Sequence, residues 1–174
     1  MDITELILDD HREQRRLFAI LEQIERSDTA NLTAIWNRLA TFLDLHAEAE
    51  ERIFYPALLH LGKGRGGEHT PPAETEDAIK DHNDIRDAVA GVGHHDVGSD
   101  GWFDAVAAAN KANGDHMAEE EREGLTDFRR NASLTTRHRL SVEFAAFEAA
   151  RVAGVEPIDK DPQQYIDRHL RGGD

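Results

Sequence analysis

Residues 32–57 read LTAIWNRLATFLDLHAEAEERIFYPA, and their apolar side chains recur at helical spacing. This apolar stripe runs up to Leu43 and resumes at Ile53. His46 and Glu50 fill the two helical steps in between, so they lie on the face that should point into a core. The His-x-x-x-Glu spacing alone is weak evidence of a site, because solvated helical pairs often share it.

Three further apolar stripes are interrupted in the same way. A single histidine interrupts the first and third stripes, at His11 and His82. The fourth stripe contains a second His-x-x-x-Glu pair, His116 and Glu120. Burying these groups on a bundle axis would cost several kcal/mol per ionised group unless a cation compensates their charge. The joint pattern therefore predicts a metal site where the helices meet.

The composition excludes several classes of protein. The chain has 174 residues, which suits one domain, or one domain with an appendage, rather than a two-domain enzyme. Lys and Arg number 20 against 35 Asp and Glu, and the formal charge of −15 predicts no binding to nucleic acid or to an anionic membrane. No leader or membrane-spanning stretch is visible, so we expect a cytoplasmic protein. The lack of cysteine excludes thiolate ligands, whereas ten histidines need an explanation.

Long segments rich in Ala, Leu, Glu, Arg and Gln, without period-2 alternation, predict an all-α protein. Turn-forming residues separate four main helices, expected at about 2–26, 30–61, 73–91 and 101–131. Shorter helices are expected near 136–152 and 162–170. The predicted starts are capped by Asp28, Thr70, and Ser99 or Asp100, and the predicted stops are Gly62 and Gly91.

Short turns between the main helices predict an up-down-up-down four-helix bundle over residues 1–133. Residues 134–174 should form a C-terminal helical extension, packed on the bundle or on a partner subunit. The protein should be a monomer or a homodimer.

The predicted helices place the histidines at comparable heights. At about 1.5 Å per residue, His11 lies as far before the first turn as His46 lies after it. The third turn fits less well, because His82 and His116 differ by about 9 Å in height at that rise. We therefore expect the third helix to run past its predicted stop, or residues 94–99 to double back. A donor set of nitrogen and oxygen without sulfur suits iron, manganese or zinc, and it favours redox-active iron.

These motifs resemble those of the hemerythrin-like proteins with the HHE cation-binding domain. That family has His on the first helix, His-x-x-x-Glu on the second, His on the third and His-x-x-x-Glu on the fourth. The matching segments, within residues 5–130, are DDHREQRRLF, HAEAEERIFYP, KDHNDIR and HMAEEEREGL. The resemblance implies a left-handed bundle with two non-heme irons, bridged by two carboxylates and an oxo or hydroxo group. It assigns as ligands His11, His46, Glu50, His82, His116 and Glu120, with zinc or manganese as alternative metals.

Members of that family bind dioxygen or nitric oxide, sense oxygen or iron, or decompose peroxide. Classical oxygen carriers place a further histidine four residues along the third helix, where this chain has Arg86, and this argues against reversible oxygen transport. The implied ligands would leave coordination positions open, which favours catalase-like reaction with hydrogen peroxide (H2O2) or binding of small gases. The alternatives are a sensing or binding module for O2, NO or iron without turnover, and a metal-free structural bundle.

Tyr55 is a candidate additional ligand. It stands five residues after Glu50, about 140° from the ligand face of an ideal helix, which favours a packed core tyrosine. Pro56 removes a backbone donor and usually kinks a helix, and a kink could swing the phenol towards iron. Bound iron would then give a visible iron–phenolate absorption.

Other ionisable residues are placed outside the ligand set. Three glutamates flank the ligand glutamates and are interpreted as solvated or as hydrogen-bond partners of the ligand histidines: Glu51, Glu119 and Glu121. Six histidines fall in loops, at helix ends or off the stripes, and are excluded from the site: His60, His69, His94, His95, His138 and His169.

Overall fold

The computed structural model describes residues 1–66 and 69–171, and within these ranges it contains helices and no β-strand. The first rod is α1 (Ile3–Leu21). The second rod is α2 (Thr29–Ala49), a π-helical segment (Glu50–Phe54) and α3 (Tyr55–Leu61). The third is α4 (Pro71–Val92), and the fourth is α5 (Asp100–Arg122) followed by α6 (Gly124–Asn131). Two C-terminal helices follow, α7 (Leu134–Ala149) and α8 (Pro162–Arg171).

The four rods close into a bundle, because α1 packs on α2, α2 on α4, α4 on α5, and α5 back on α1. The predicted all-α bundle with additional C-terminal helices is confirmed. Within the part of the chain that the structure describes, none of the helices combines the length and the apolar character that crossing a bilayer requires.

Helix starts follow the predicted capping residues. The side chains of Asp28, Thr70 and Ser99 accept hydrogen bonds from backbone N–H groups in the first turns of α2, α4 and α5. The stop predicted for the second rod is also confirmed, since α3 ends at Leu61 and Gly62 is its C-cap residue. Local capping chemistry therefore fixes where these three rods begin.

The third rod continues past Gly91, so the stop predicted there was wrong. Glycine stays inside the helix because its cost there is only about 1 kcal/mol. The α4 helix ends at Val92, and the N–H groups of the next three residues, up to His95, bond to carbonyls three residues back. His82 and His116 meet at one level, with 3.1 Å between their Nε2 atoms, so the expected mismatch in height is absent.

Two other boundaries differ from the prediction. The α1 helix ends at Leu21 rather than near residue 26, because the N–H groups of Gln23 and Ile24 turn back to carbonyls three residues earlier. The fourth rod is interrupted at Glu123, where the backbone has φ −111° and ψ −79°. Both departures come from local turn geometry that helical periodicity does not reveal.

Apolar side chains fill the bundle in two clusters, one on each side of a polar layer. The first stripe shows this division: Ile3 and Ile7 belong to one cluster, and Phe18 and Leu21 belong to the other. His11 lies between them and is fully buried. The interruptions in the sequence stripes therefore correspond to a single level of the folded bundle.

The C-terminal helices pack on the bundle. Helix α7 lies on α1 and α2, and its Phe144 is buried beside His46, with 5.9 Å between ring centroids. Helix α8 lies on α3 and α4, and its Tyr165 is buried there. The division of the chain after residue 133 stays a prediction, and residues 172–174 of the predicted extension lie outside the described residues.

Candidate metal centre

The six predicted ligand side chains meet in one buried layer across the four rods. They are His11 of α1, His46 of α2, Glu50 of the π-helical segment, His82 of α4, and His116 and Glu120 of α5. Each is at most 6% exposed. Helical spacing places each of them at the height of the gap between the apolar clusters. The rods thus bring together residues as far apart in the chain as His11 and Glu120, which are separated by 109 positions.

Two groups of three donors share Glu50. His11, His46 and Glu50 form one group, and Glu50, His82 and His116 form the other. Within each group the donor atoms all lie within 4.8 Å of one another. One oxygen of Glu50 lies 3.1 Å from His46 Nε2, and its other oxygen lies 3.3 Å from His82 Nε2. A carboxylate that faces two histidine groups is suited to bridge two cations.

Glu120 reaches the layer from α5. Its Oε2 lies 3.4 Å from His11 Nε2. Glu120 belongs to neither three-donor group. The structure therefore places it next to the group of His11, His46 and Glu50 but not within it.

The outward nitrogen of each layer histidine faces a carboxylate from a neighbouring rod. The Nδ1 to carboxylate distances are 2.9 Å for His11 and Glu121, 3.3 Å for His46 and Asp10, 2.8 Å for His82 and Glu51, and 3.4 Å for His116 and Asp81. The pairs link each rod to the next and the fourth rod back to the first. A proton held at Nδ1 by its carboxylate leaves the Nε2 lone pair free to bind a metal.

Sequence analysis missed two of these carboxylates, Asp10 and Asp81. Each directly precedes a layer histidine in the chain yet pairs with the histidine of another rod. Glu51 and Glu121 act as the predicted partners, whereas Glu119 is exposed. Their position in the sequence could have identified them, because a residue directly next to a layer residue points towards the neighbouring rod.

The π-helical segment rotates Tyr55 towards the layer. The N–H of Tyr55 donates to the carbonyl of Glu50, five residues back, so the turn contains one residue more than an α-turn. Tyr55 is 1% exposed, and its hydroxyl lies 3.4 Å from His82 Nε2. The ideal-helix angle of about 140° does not apply, because the π-helical segment is wound more loosely than 100° per residue. Tyr55 still packs in the apolar core, as the favoured interpretation expected.

Comparison with known families supports the same arrangement. A family model described as the hemerythrin HHE cation-binding domain matches residues 2–126. The chain belongs to this family. No curated protein and no solved structure matches it significantly. The HHE family binds metal ions, and the histidine and glutamate groups of this member could hold them.

Arg86 is where this HHE protein departs from classical oxygen carriers. Its guanidinium donates to Glu51 at 2.7 Å and is buried. The same Glu51 oxygen faces His82 Nδ1 at 2.8 Å. Arg86 therefore supports the partner of a layer histidine and does not take the place of a further ligand.

The charge state of the layer is set by burial and by neighbouring charges. Burial lowers the pKa of His11, and it lowers that of His116 to about 4. Burial raises the pKa of Glu120, and the charge of Glu50 raises it further. Burial would also raise the pKa of Glu50, but His46 and its other neighbours outweigh burial and hold that pKa well below its usual range.

The donor atoms of the layer fit a metal. Among the described residues, no hydrogen bond satisfies His11 Nε2, His46 Nε2, or either oxygen of Glu50 and Glu120. An unsatisfied buried polar group costs about 1–3 kcal/mol. Cations between these lone pairs would satisfy them together, and an all-nitrogen and oxygen donor set is compatible with iron.

The six excluded histidines lie outside these donor groups. A third group of possible metal donors includes one layer histidine. It consists of Asp10, His46 and Glu148 of α7. Sequence analysis did not identify Glu148. Its position depends on how α7 docks, and the sequence of α7 alone carries no such information.

Replacing Asp81 tests the ring of outward carboxylates. We expect Asp81→Asn to weaken metal binding by roughly 10–100-fold, because the amide holds the Nδ1 proton of His116 less well. The measurement is chelator competition with ferrous iron. The matched control is Asp115→Asn, an exposed aspartate beside His116 in the chain, which should bind like the wild type. Equal losses in the two variants would contradict the pairing.

A cavity of about 20 Å³ adjoins the layer, with Tyr55, His116 and Glu120 in its wall. This volume is enough for about one water-sized molecule. Glu74 also lines the cavity, and neither of its carboxylate oxygens has a hydrogen-bond partner among the described residues. Burial and the charge of Asp127 raise the pKa of Glu74 to about 7.

Glu74 should make the stability of the metal-free protein depend on pH. Its pKa is raised on folding, so its protonation favours the folded state below pH 4.5, and this contribution is lost as the pH rises through about 7. We expect Glu74→Gln to be more stable than the wild type by about 1–2 kcal/mol at pH 8, after allowing for solvent screening, and by little at pH 5. Urea unfolding at both pH values measures this. The control is Glu76→Gln, which removes a more exposed glutamate of the same helix; a pH-dependent gain there would contradict the assignment.

Proposed function

We propose that this protein is a non-heme diiron protein that decomposes hydrogen peroxide in a catalase-like manner. The observation that carries the proposal is the pair of three-donor groups that share Glu50. Each group could hold one ion, and the shared carboxylate would keep the two ions close together. His11, His46, Glu50, His82, His116 and Glu120 are the proposed ligands.

Iron is proposed rather than zinc or manganese because of the donor set and the buried phenol. Four imidazoles and carboxylates without sulfur suit iron, although they do not exclude the other two metals. The Tyr55 oxygen supports iron further, because a phenolate oxygen is a donor that suits ferric iron. We propose Tyr55 as an additional ligand on the strength of its 3.4 Å approach to His82 Nε2.

The surroundings of the layer restrict which molecules can react. Apolar clusters close the bundle above and below, and the adjoining cavity has room for about one small molecule. Hydrogen peroxide, O2 and NO are small enough for such a cavity, which favours them over larger organic substrates. The alternative function is a binding or sensing module for these gases or for iron without turnover, which the same small cavity would serve. The orphaned donors disfavour a metal-free structural bundle.

Two iron ions, when bound, would supply two electrons to one peroxide, giving two waters, and take two electrons from another, giving dioxygen. The first half consumes two protons and the second releases two, so a group that gains and loses a proton near the cavity is useful. Glu74 can hold that proton, since its pKa of about 7 lies near physiological pH. The outward carboxylates keep the layer histidines oriented throughout.

Metal content and oxygen evolution test the proposal. Protein purified in air should contain about two irons per chain, absorb near the violet edge, and evolve oxygen from hydrogen peroxide. His46→Ala and His116→Ala should each lose iron and activity, because each removes a donor from one group. His60→Ala is the control and should retain both, because its exposed side chain lies outside the groups. Iron without oxygen evolution would favour the binding module, and a metal-free chain would overturn the diiron assignment.

Tyr55→Phe tests the phenol ligand separately. We expect the variant to keep its iron, because the four histidines and two glutamates remain, and to lose any visible phenolate absorption. The absorption spectrum and the metal content are measured on the same sample. Ser141→Ala, which removes a buried hydroxyl of α7, is the control and should keep the absorption band. A band unchanged in Tyr55→Phe would show that Tyr55 does not bind iron.

A further inference from the structure

The C-terminal segment reaches back to the metal centre from outside the family match. The family match ends at residue 126, whereas Lys160 and Tyr165 both contact Glu51. Glu51 is the residue that pairs with His82 Nδ1. A segment that the family pattern does not include therefore touches the support of a proposed ligand.

Tyr165 compensates for a hydrogen-bond donor that the second rod lacks. In the π-turn, Tyr55 N–H already donates to the carbonyl of Glu50. The carbonyl of Glu51 would next accept from residue 56, but Pro56 has no N–H. The Tyr165 hydroxyl donates to this carbonyl instead, and both residues are buried. Helix α8 thus completes the turn that presents Tyr55 to the layer.

Lys160 holds the side chain of the same glutamate. Its ammonium pairs with the Glu51 carboxylate and, at 2.7 Å, with Glu48. The backbone of Lys160 is fixed by Asn83 of α4, which donates to its carbonyl at 3.0 Å and accepts from its N–H at 3.2 Å. Asn83 directly follows His82 in the chain, so the same contact joins the tail to the rod that carries His82.

The Glu51 carboxylate is consequently held between three groups. Its Oε1 accepts from Arg86 at 2.7 Å and faces His82 Nδ1 at 2.8 Å, while its Oε2 pairs with Lys160. Two cations reduce the negative charge that His82 experiences. Loss of one cation would make the carboxylate pull harder on the Nδ1 proton and make the imidazole a stronger donor to a metal.

We propose that Lys160 and Tyr165 are positioning residues of the metal centre, which set the donor strength of His82 and the orientation of Tyr55 through Glu51. This proposal rests on the proposed function. Tyr165 acts through the backbone of the π-turn and Lys160 acts through the charge on the carboxylate. The two substitutions should therefore change different measurable properties.

Tyr165→Phe should lower the affinity for ferrous iron roughly tenfold, because the π-turn loses a donor while no charge changes. Chelator competition measures the affinity. The matched control is Ser141→Ala, which removes another buried hydroxyl that donates to a backbone carbonyl, in α7. It should leave the iron affinity unchanged even if it lowers the melting temperature.

Lys160→Met should raise the ratio of ferric to ferrous affinity by roughly tenfold, as expected when one nearby positive charge is removed in a partly buried site. Spectroelectrochemical titration measures this ratio as a lower reduction potential. Lys160→Arg keeps the charge and should restore the wild-type potential. Lys111→Met, which removes an exposed lysine from a pair on α5, is the control and should have no effect.

The outcomes separate the two proposals. If the wild type binds two irons and both tail variants match it in affinity and potential, the positioning role is overturned and the proposed function stands. A fall in melting temperature without either change also overturns it, because the tail would then only strap the bundle. Wild-type protein that takes up no iron overturns the proposed function and the positioning role together.

Discussion

The burial of polar donors across the middle of the bundle is the constraint on which the rest of the structure depends. Four imidazoles and two carboxylates divide the apolar interior into two clusters, and several of their donor atoms lack a hydrogen bond among the described residues. Such a layer is costly in an empty bundle. Cations between these donors would offset that cost, which agrees with the metal binding of the HHE family.

Carboxylates at the periphery of the layer orient its histidines. Each layer histidine faces a carboxylate from the adjacent rod, so the four pairs form a closed circuit around the bundle. The circuit couples the packing of the rods to the geometry of the donors, since a shift of one rod would move the partner of another rod's histidine. The orientation of the donors and the packing of the bundle therefore depend on the same contacts.

The second rod contains a local irregularity that moves one side chain towards the polar layer. An α-helix through residues 50–55 would place Tyr55 far from the layer, and the π-turn brings its hydroxyl near His82. Pro56 leaves a carbonyl of this turn without its normal donor, and Tyr165 provides one from α8. The C-terminal extension thus belongs to the environment of the centre, although the family match ends well before it.

Helical periodicity, capping residues and the interruptions in the apolar stripes were enough to predict the bundle and to select the six residues that meet in its centre. These signals are local, because a side chain's face on a helix follows from its spacing alone. The sequence could not show that Asp10 pairs with His46, that Glu148 approaches from α7, or that Tyr55 turns inward. Those contacts depend on the docking of separate helices and on one extra residue in a turn, and only the tertiary structure fixes both.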